Sequence, residues 1–162
     1  MQQLVNVIES GLKKLLITLC ALIVLGVTWQ VFSRYVLQSP SSTTEELARF
    51  LLIWIGLFGA AYAYKMDSHL GLDVVVNKFN QQVRPWANVF AHVVVLFFAV
   101  AVMIIGGFSL VNLTMDPTQI SAALQVKMGF IYSAVPISGI IISIFSLQKI
   151  ANQISAIVST GE

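Results

Sequence analysis

Four stretches without a charged side chain dominate this sequence and constrain what it can fold into. They run from Leu15 to Ser33, Phe50 to Tyr64, Pro85 to Met115 and Met128 to Gln148, or 19, 15, 31 and 21 residues. A hydrocarbon core about 30 Å thick takes roughly 20 helical residues to cross, and a charge inside it is costly. The first and fourth stretches each fit one crossing. The third has room for a crossing and a polar exit near Asn112 and Thr114. The second is short, but Leu47 and Ala48 lengthen it, and Arg49 and Lys65 can extend their charged heads to the lipid headgroups. No alternating ten-residue pattern argues for a barrel. The expected fold is an all-α integral membrane protein, a single membrane domain over residues 1–162. Its four transmembrane helices are expected near residues 14–36, 44–66, 86–112 and 127–150.

Composition closes the other routes. Of 162 residues, 57% are apolar and only 10% are charged, against roughly 25% charged in a soluble domain. That excludes a soluble enzyme, a disordered chain and a nucleic-acid binder. A single cysteine, Cys20, excludes an internal disulfide and a cysteine-based metal cluster. The first stretch is too long for a signal peptide and runs into Trp29, Gln30 and Phe32 without a small-residue cleavage site. It reads as a retained span.

Two further segments carry helical amphipathicity without the length to span. Leu4, Ile8, Leu12 and Leu15 share one face of residues 2–13 and the start of the first span, opposite Gln2, Asn6, Glu9 and Lys13. Leu72, Val75, Val76, Phe79 and Val83 do the same over residues 71–84. Both patterns predict helices lying flat in the membrane interface, with packing onto protein as the alternative. Basic residues orient the chain. With the N-terminus inside, Lys13, Lys14, Lys65, Lys78, Arg84 and Lys149 are cytoplasmic, while Arg34, Arg49 and Lys127 face outward. Both termini are therefore expected in the cytoplasm.

Residues that could carry chemistry are sparse. All seven acids lie at the edges of the charge-free stretches or outside them. A carrier that works alone usually needs an ionisable group deep in the bilayer. That weighs against a self-contained four-helix exporter. His69 and His92 are conceivable haem ligands in a membrane redox subunit, but one falls in a loop and the other inside the third span. Neither a nucleophile–base pair nor a phosphate-binding loop is present, so no enzyme, cofactor or metal is expected.

The densest polar cluster is Ser41 to Glu46, followed by Arg49. Ser42 with Glu45 and Thr43 with Glu46 both have capping-box spacing at the start of span two. Arg34, at the end of span one, is near enough in sequence to pair with Glu45 or Glu46. Gly56, Gly59, Ala60 and Ala63 form a small-residue stripe on span two, suited to a close helix neighbour in this chain or another subunit. Leu52, Ile55 and Phe58 are expected to face lipid. Pro136 predicts a kink in span four.

Taken in order, several motifs form a recognisable set. They are Phe32-Ser33-Arg34-Tyr35, Glu45-Glu46-Leu47-Ala48-Arg49-Phe50-Leu51 and Gly59-Ala60-Ala61-Tyr62, then His69 with Gly71, Asp73 and Val74. Ser121-Ala122-Ala123-Leu124, Met128, Tyr132 and Pro136 complete the set. The whole resembles the DctQ-type small permease subunit of the TRAP (tripartite ATP-independent periplasmic) transporters, over about residues 5–150. Lys127 and Gly129 depart from the more apolar or aromatic pattern expected beside Met128. The resemblance implies a bacterial inner-membrane location and a large membrane partner that carries the sodium and substrate sites. It further implies a periplasmic binding protein that delivers an organic acid such as a dicarboxylate or a sialic acid. The small subunit would brace the large one. Arg34, Glu45, Glu46, Arg49, His69 and Asp73 match the family's polar positions.

Overall fold

The computed structural model describes residues 2–39, 41–66 and 84–160. In chain order these form α1 (Gln2–Tyr35), α2 (Ser42–Lys65), α3 (Arg84–Phe98), a π-helical segment (Ala99–Gly106), α4 (Gly107–Met115), α5 (Met128–Tyr132) and α6 (Ala134–Thr160). The helices α3 and α4 continue directly into and out of the π segment as one rod. Four helical stretches among these residues are long and apolar enough to cross a membrane: Val5–Tyr35, Ser42–Lys65, Pro85–Met115 and Met128–Ile157. Among the described residues the one β feature is an isolated bridge between Ile120 and Lys127, in the loop joining α4 to α5. The fold is all-α.

The fourth span is the hub. The helix α6 contacts α2, α3, the π segment and, more lightly, α1, while α1 rests mainly on α2. The core gathers Val5, Leu12, Phe58, Ala61, Tyr64, Ala99, Met103, Ile142 and Phe145. Serines reach this core because each hydroxyl has an acceptor. Ser138 donates to the Val135 carbonyl at 2.9 Å and Ser143 to that of Gly139 at 2.8 Å. Such back-bonding lets a small polar side chain sit in a helix contact with no unsatisfied group.

The structure revises several expectations. Residues 2–13 are not a separate interfacial helix. They continue without a break into the first span as a 34-residue helix, about 51 Å long at 1.5 Å per residue. Its inward face holds Val5 and Leu12, with Ile8, Leu16 and Leu19 packed against the same core, while Leu15 is exposed. This segment packs onto protein as well as extending the span. The segment expected as an interfacial helix over 71–84 lies outside the described residues, apart from Arg84, which opens α3.

Phe58 does not face lipid: it is 2% exposed, in edge contact with Trp54. At 100° per residue Leu52 shares a face with Gly56 and Gly59, whereas Phe58 lies on the other side with Ala61. The small stripe is turned away from the core. A Cβ added at Gly56 or Gly59 would have no neighbour within 4 Å, so among the described residues no helix takes the close seat that the stripe provides.

Span four is interrupted in the turn just before Pro136. The interruption falls at Ser133, and Pro136 is the third residue of α6. There a missing N–H costs nothing, because first-turn donors lack an intrahelical acceptor. The Ser133 hydroxyl donates to the Phe130 carbonyl at 2.7 Å, and the Ile137 N–H reaches the Ser133 carbonyl at 3.2 Å. Pro136 packs instead on Gly107, where an added Cβ would stand 2.8 Å from the proline Cδ. Gly139 similarly admits the π segment: its Cβ would lie 2.7 Å from the Met103 Cβ and 3.2 Å from the Ala99 carbonyl oxygen. Spans three and four therefore approach each other closely along the π segment and just after it.

Candidate functional site

Polar side chains collect at the two ends of the bundle, and each collection ties helices together. At one end Ser41 is the N-cap of α2, accepting the Thr44 N–H at 3.4 Å, while the Thr44 hydroxyl donates to the Ser41 carbonyl at 3.1 Å. The cap thus falls before either expected capping box, which leaves both glutamates available for other partners. Glu45 pairs with Arg49 one helical turn on, in an exposed ion pair. Glu46 turns toward the loop between α4 and α5. Its carboxylate accepts three consecutive backbone N–H groups, from Ala122 at 3.1 Å, Ala123 at 2.9 Å and Leu124 at 2.7 Å.

That loop is closed by its own hydrogen bonds. The Ser121 N–H donates to the Val126 carbonyl at 2.9 Å, the Val126 N–H to the Ser121 hydroxyl at 3.2 Å, and the Met128 N–H to the Gln119 carbonyl at 2.9 Å. Gln125 takes a left-handed conformation (φ 55°), with its side-chain amide donating to the Ala122 carbonyl at 3.1 Å. Successive N–H groups bent to one side form an anion-binding nest, and here the anion belongs to the protein. Arg34 is not part of this end's network. It is exposed, and among the described residues it forms no ion pair with Glu45 or Glu46. Both acids have nearer donors, so the expected tie between α1 and α2 does not form.

The opposite end holds a second network, which the sequence reading did not single out. Lys65, the last residue of α2, lies 3.9 Å from Glu9 of α1 and 3.5 Å from the Gln148 Oε1 of α6. Lys149 donates to the Tyr64 carbonyl at 2.7 Å and stands 4.9 Å from the centre of the Tyr64 ring. The Tyr64 hydroxyl is 2.9 Å from His92 Nδ1 on α3, and the Ser146 hydroxyl donates to the His92 carbonyl at 2.7 Å. Glu9, Tyr64, Lys65, His92, Ser146, Gln148 and Lys149 thus connect all four spans. Such groups are stable near the membrane because each meets a partner. His92 serves as a packing residue hydrogen-bonded across helices. His69 and Asp73 lie outside the described residues. One sequence signal does precede this network: Ser138, Ser143, Ser146 and Gln148 are polar positions in an otherwise apolar span, and all are buried.

Among the described residues no group of three or more His, Cys, Asp or Glu side chains could hold a metal. What the arrangement does chemically is mechanical: it fixes helices and one loop relative to each other. Residues 23–156 match the family model of the tripartite ATP-independent periplasmic transporters, DctQ component. The chain belongs to that family. It is a component of a transporter and not an enzyme. The subunit is 26% identical over 160 residues to the sialic acid TRAP transporter small permease protein SiaQ of Vibrio cholerae, covering 94% of this chain and 84% of the relative. It is 27% identical over 157 residues to a Haemophilus influenzae protein provisionally named a TRAP transporter small permease protein, covering 95% and 94%. A third relative differs in length. The sialic acid TRAP transporter permease protein SiaT of Haemophilus influenzae is 27% identical over 119 residues, covering 74% of this chain but 19% of SiaT. In SiaT the small-permease sequence is thus one part of a much longer polypeptide. Membership of a TRAP permease family, with four apolar helices, makes this a multi-pass inner-membrane protein.

Proposed function

We propose that this subunit braces a large membrane partner during sodium-driven uptake of an organic acid delivered by a periplasmic binding protein. The observation that carries the reading is where the polar groups go. The acids at one end hold a loop and a neighbouring arginine, and the network at the other end cross-links the four spans. Side chains committed to internal ties suit a rigid support better than a site that must bind and release a solute. The fused arrangement in SiaT supports a permanent large-permease neighbour. The relatives named for sialic acid support an acidic substrate. On this reading the outward small-residue face of α2, with Gly56, Gly59, Ala60 and Ala63, meets a helix of that neighbour. Both termini are cytoplasmic.

Reconstitution into liposomes with the large permease and the binding protein tests the reading. Uptake of an organic acid under an inward sodium gradient should require all three proteins. Transport by this chain alone would end it. For orientation, a reporter active only in the periplasm should remain silent when fused after Glu162.

A further inference from the structure

Arg34 is left over by the networks at both ends of the bundle. Among the described residues it makes no ion pair and no side-chain hydrogen bond. The acids nearest to it in sequence, Glu45 and Glu46, are held by Arg49 and by the loop amides. The arginine instead tops a depression of about 200 Å³ on the side of α1, lined by Val27, Gln30, Val31, Arg34 and Tyr35. We infer that this depression seats a phospholipid, its phosphate on the Arg34 guanidinium and the start of an acyl chain over Val27 and Val31.

Depth is the first support. Lys14 and Arg34 bound the charge-free stretch Leu15–Ser33 and stand about 30 Å apart along the helix, the thickness of the hydrocarbon core. The helix α1 thus carries a cation at each boundary of the core, and Arg34 stands at the level of the phosphates. Trp29, Phe32 and Tyr35 are all exposed beside it, and tryptophan and tyrosine settle in that same interfacial layer.

The second support is the direction in which polarity changes. Val27, Gln30, Val31 and Arg34 fall at i, i+3, i+4 and i+7, so they share one side of the helix. Both valines are exposed and lie on the bilayer side of the arginine, Val27 about 10 Å deeper. A free anion would leave the valines unused. A phospholipid matches the whole face, with charge above and hydrocarbon below. Chemistry is the third support. A guanidinium presents paired N–H donors that a phosphate accepts bidentately, and no carboxylate lines the depression to compete for them.

Native mass spectrometry of the full chain in detergent reads the site directly, by titration with phosphatidylglycerol or with diacylglycerol of the same acyl chains. One phosphatidylglycerol should be retained in preference to diacylglycerol. Arg34→Gln should weaken that retention roughly tenfold or more, the scale of a lost charge-assisted contact. Its melting temperature in lipid-free detergent should stay that of the wild type, because the arginine has no partner within the described chain. Lys127→Gln, which removes another exposed cation, should leave retention unchanged. Gln30→Glu places a carboxylate one turn before Arg34, the favourable order for an i,i+4 pair, and should expel the lipid by occupying the guanidinium. Equal retention by the wild type, Arg34→Gln and Gln30→Glu would overturn the proposal. Displacement of the lipid by inorganic phosphate at matched concentration would overturn the lipid assignment in favour of a soluble phosphate. If Arg34→Gln kept the lipid but lost co-purification with the large permease, the guanidinium would belong to an acidic side chain of that partner and the proposal would fall.

Discussion

Glu46 is the residue on which one end of the molecule depends. Three N–H groups converge on one carboxylate, and hydrogen bonds to a charged acceptor are shorter and stronger than neutral ones. The exposed Glu45–Arg49 pair is of a different order, about 0.3–0.5 kcal/mol. Glu46→Gln turns a donor toward one of these donors and should lower the melting temperature, with faster amide exchange at Ala122, Ala123 and Leu124. Glu45→Gln should shift stability by less than about 0.5 kcal/mol. Equal effects of the two substitutions on the melting temperature would contradict this assignment. At the other end Tyr64→Phe removes only the hydroxyl beside His92 and should cost about 1 kcal/mol. The carbonyl that receives Lys149 remains in place.

At the scale of elements, the glycines divide into two groups by their neighbours. A Cβ at Gly107 would lie 2.8 Å from the Pro136 Cδ and one at Gly139 2.7 Å from the Met103 Cβ, closer than a Cβ tolerates. Gly107→Ala and Gly139→Ala should therefore each destabilise the fold by about 1–3 kcal/mol through overpacking. Gly56 and Gly59 meet nothing within 4 Å among the described residues. Gly56→Ala and Gly59→Ala should leave the isolated subunit unchanged, or stabilise it by up to about 1 kcal/mol through helix propensity. Thermal melts of the four variants separate the groups. Bulkier Gly56→Leu should weaken co-purification with the large permease while the subunit alone stays folded, which tests the proposed contact apart from the fold. None of this division is visible in the local sequence. Both pairs are glycines in apolar helices, and only the partner across the gap distinguishes them.

Over the whole molecule, polar ties at both ends bracket an apolar middle. Their removal should have unequal consequences. Glu9 and Lys65 are 3.9 Å apart and partly exposed, so Glu9→Gln should cost no more than about 1 kcal/mol. Phe58→Ala, which empties a seat in the central core, should cost about 3–5 kcal/mol.

The count of spans was legible in the residues themselves, because excluding charge from hydrocarbon is a local, one-dimensional rule. Family membership was legible in the ordered motifs. The partners of those residues were decided only in three dimensions. Arg34 lost Glu45 to a neighbour one turn away and Glu46 to a loop 76–78 residues distant. A π segment formed opposite Gly139. Hydrogen bonds and close contacts of this kind depend on which backbone groups happen to meet, and that is set by the packing of whole helices rather than by any one segment.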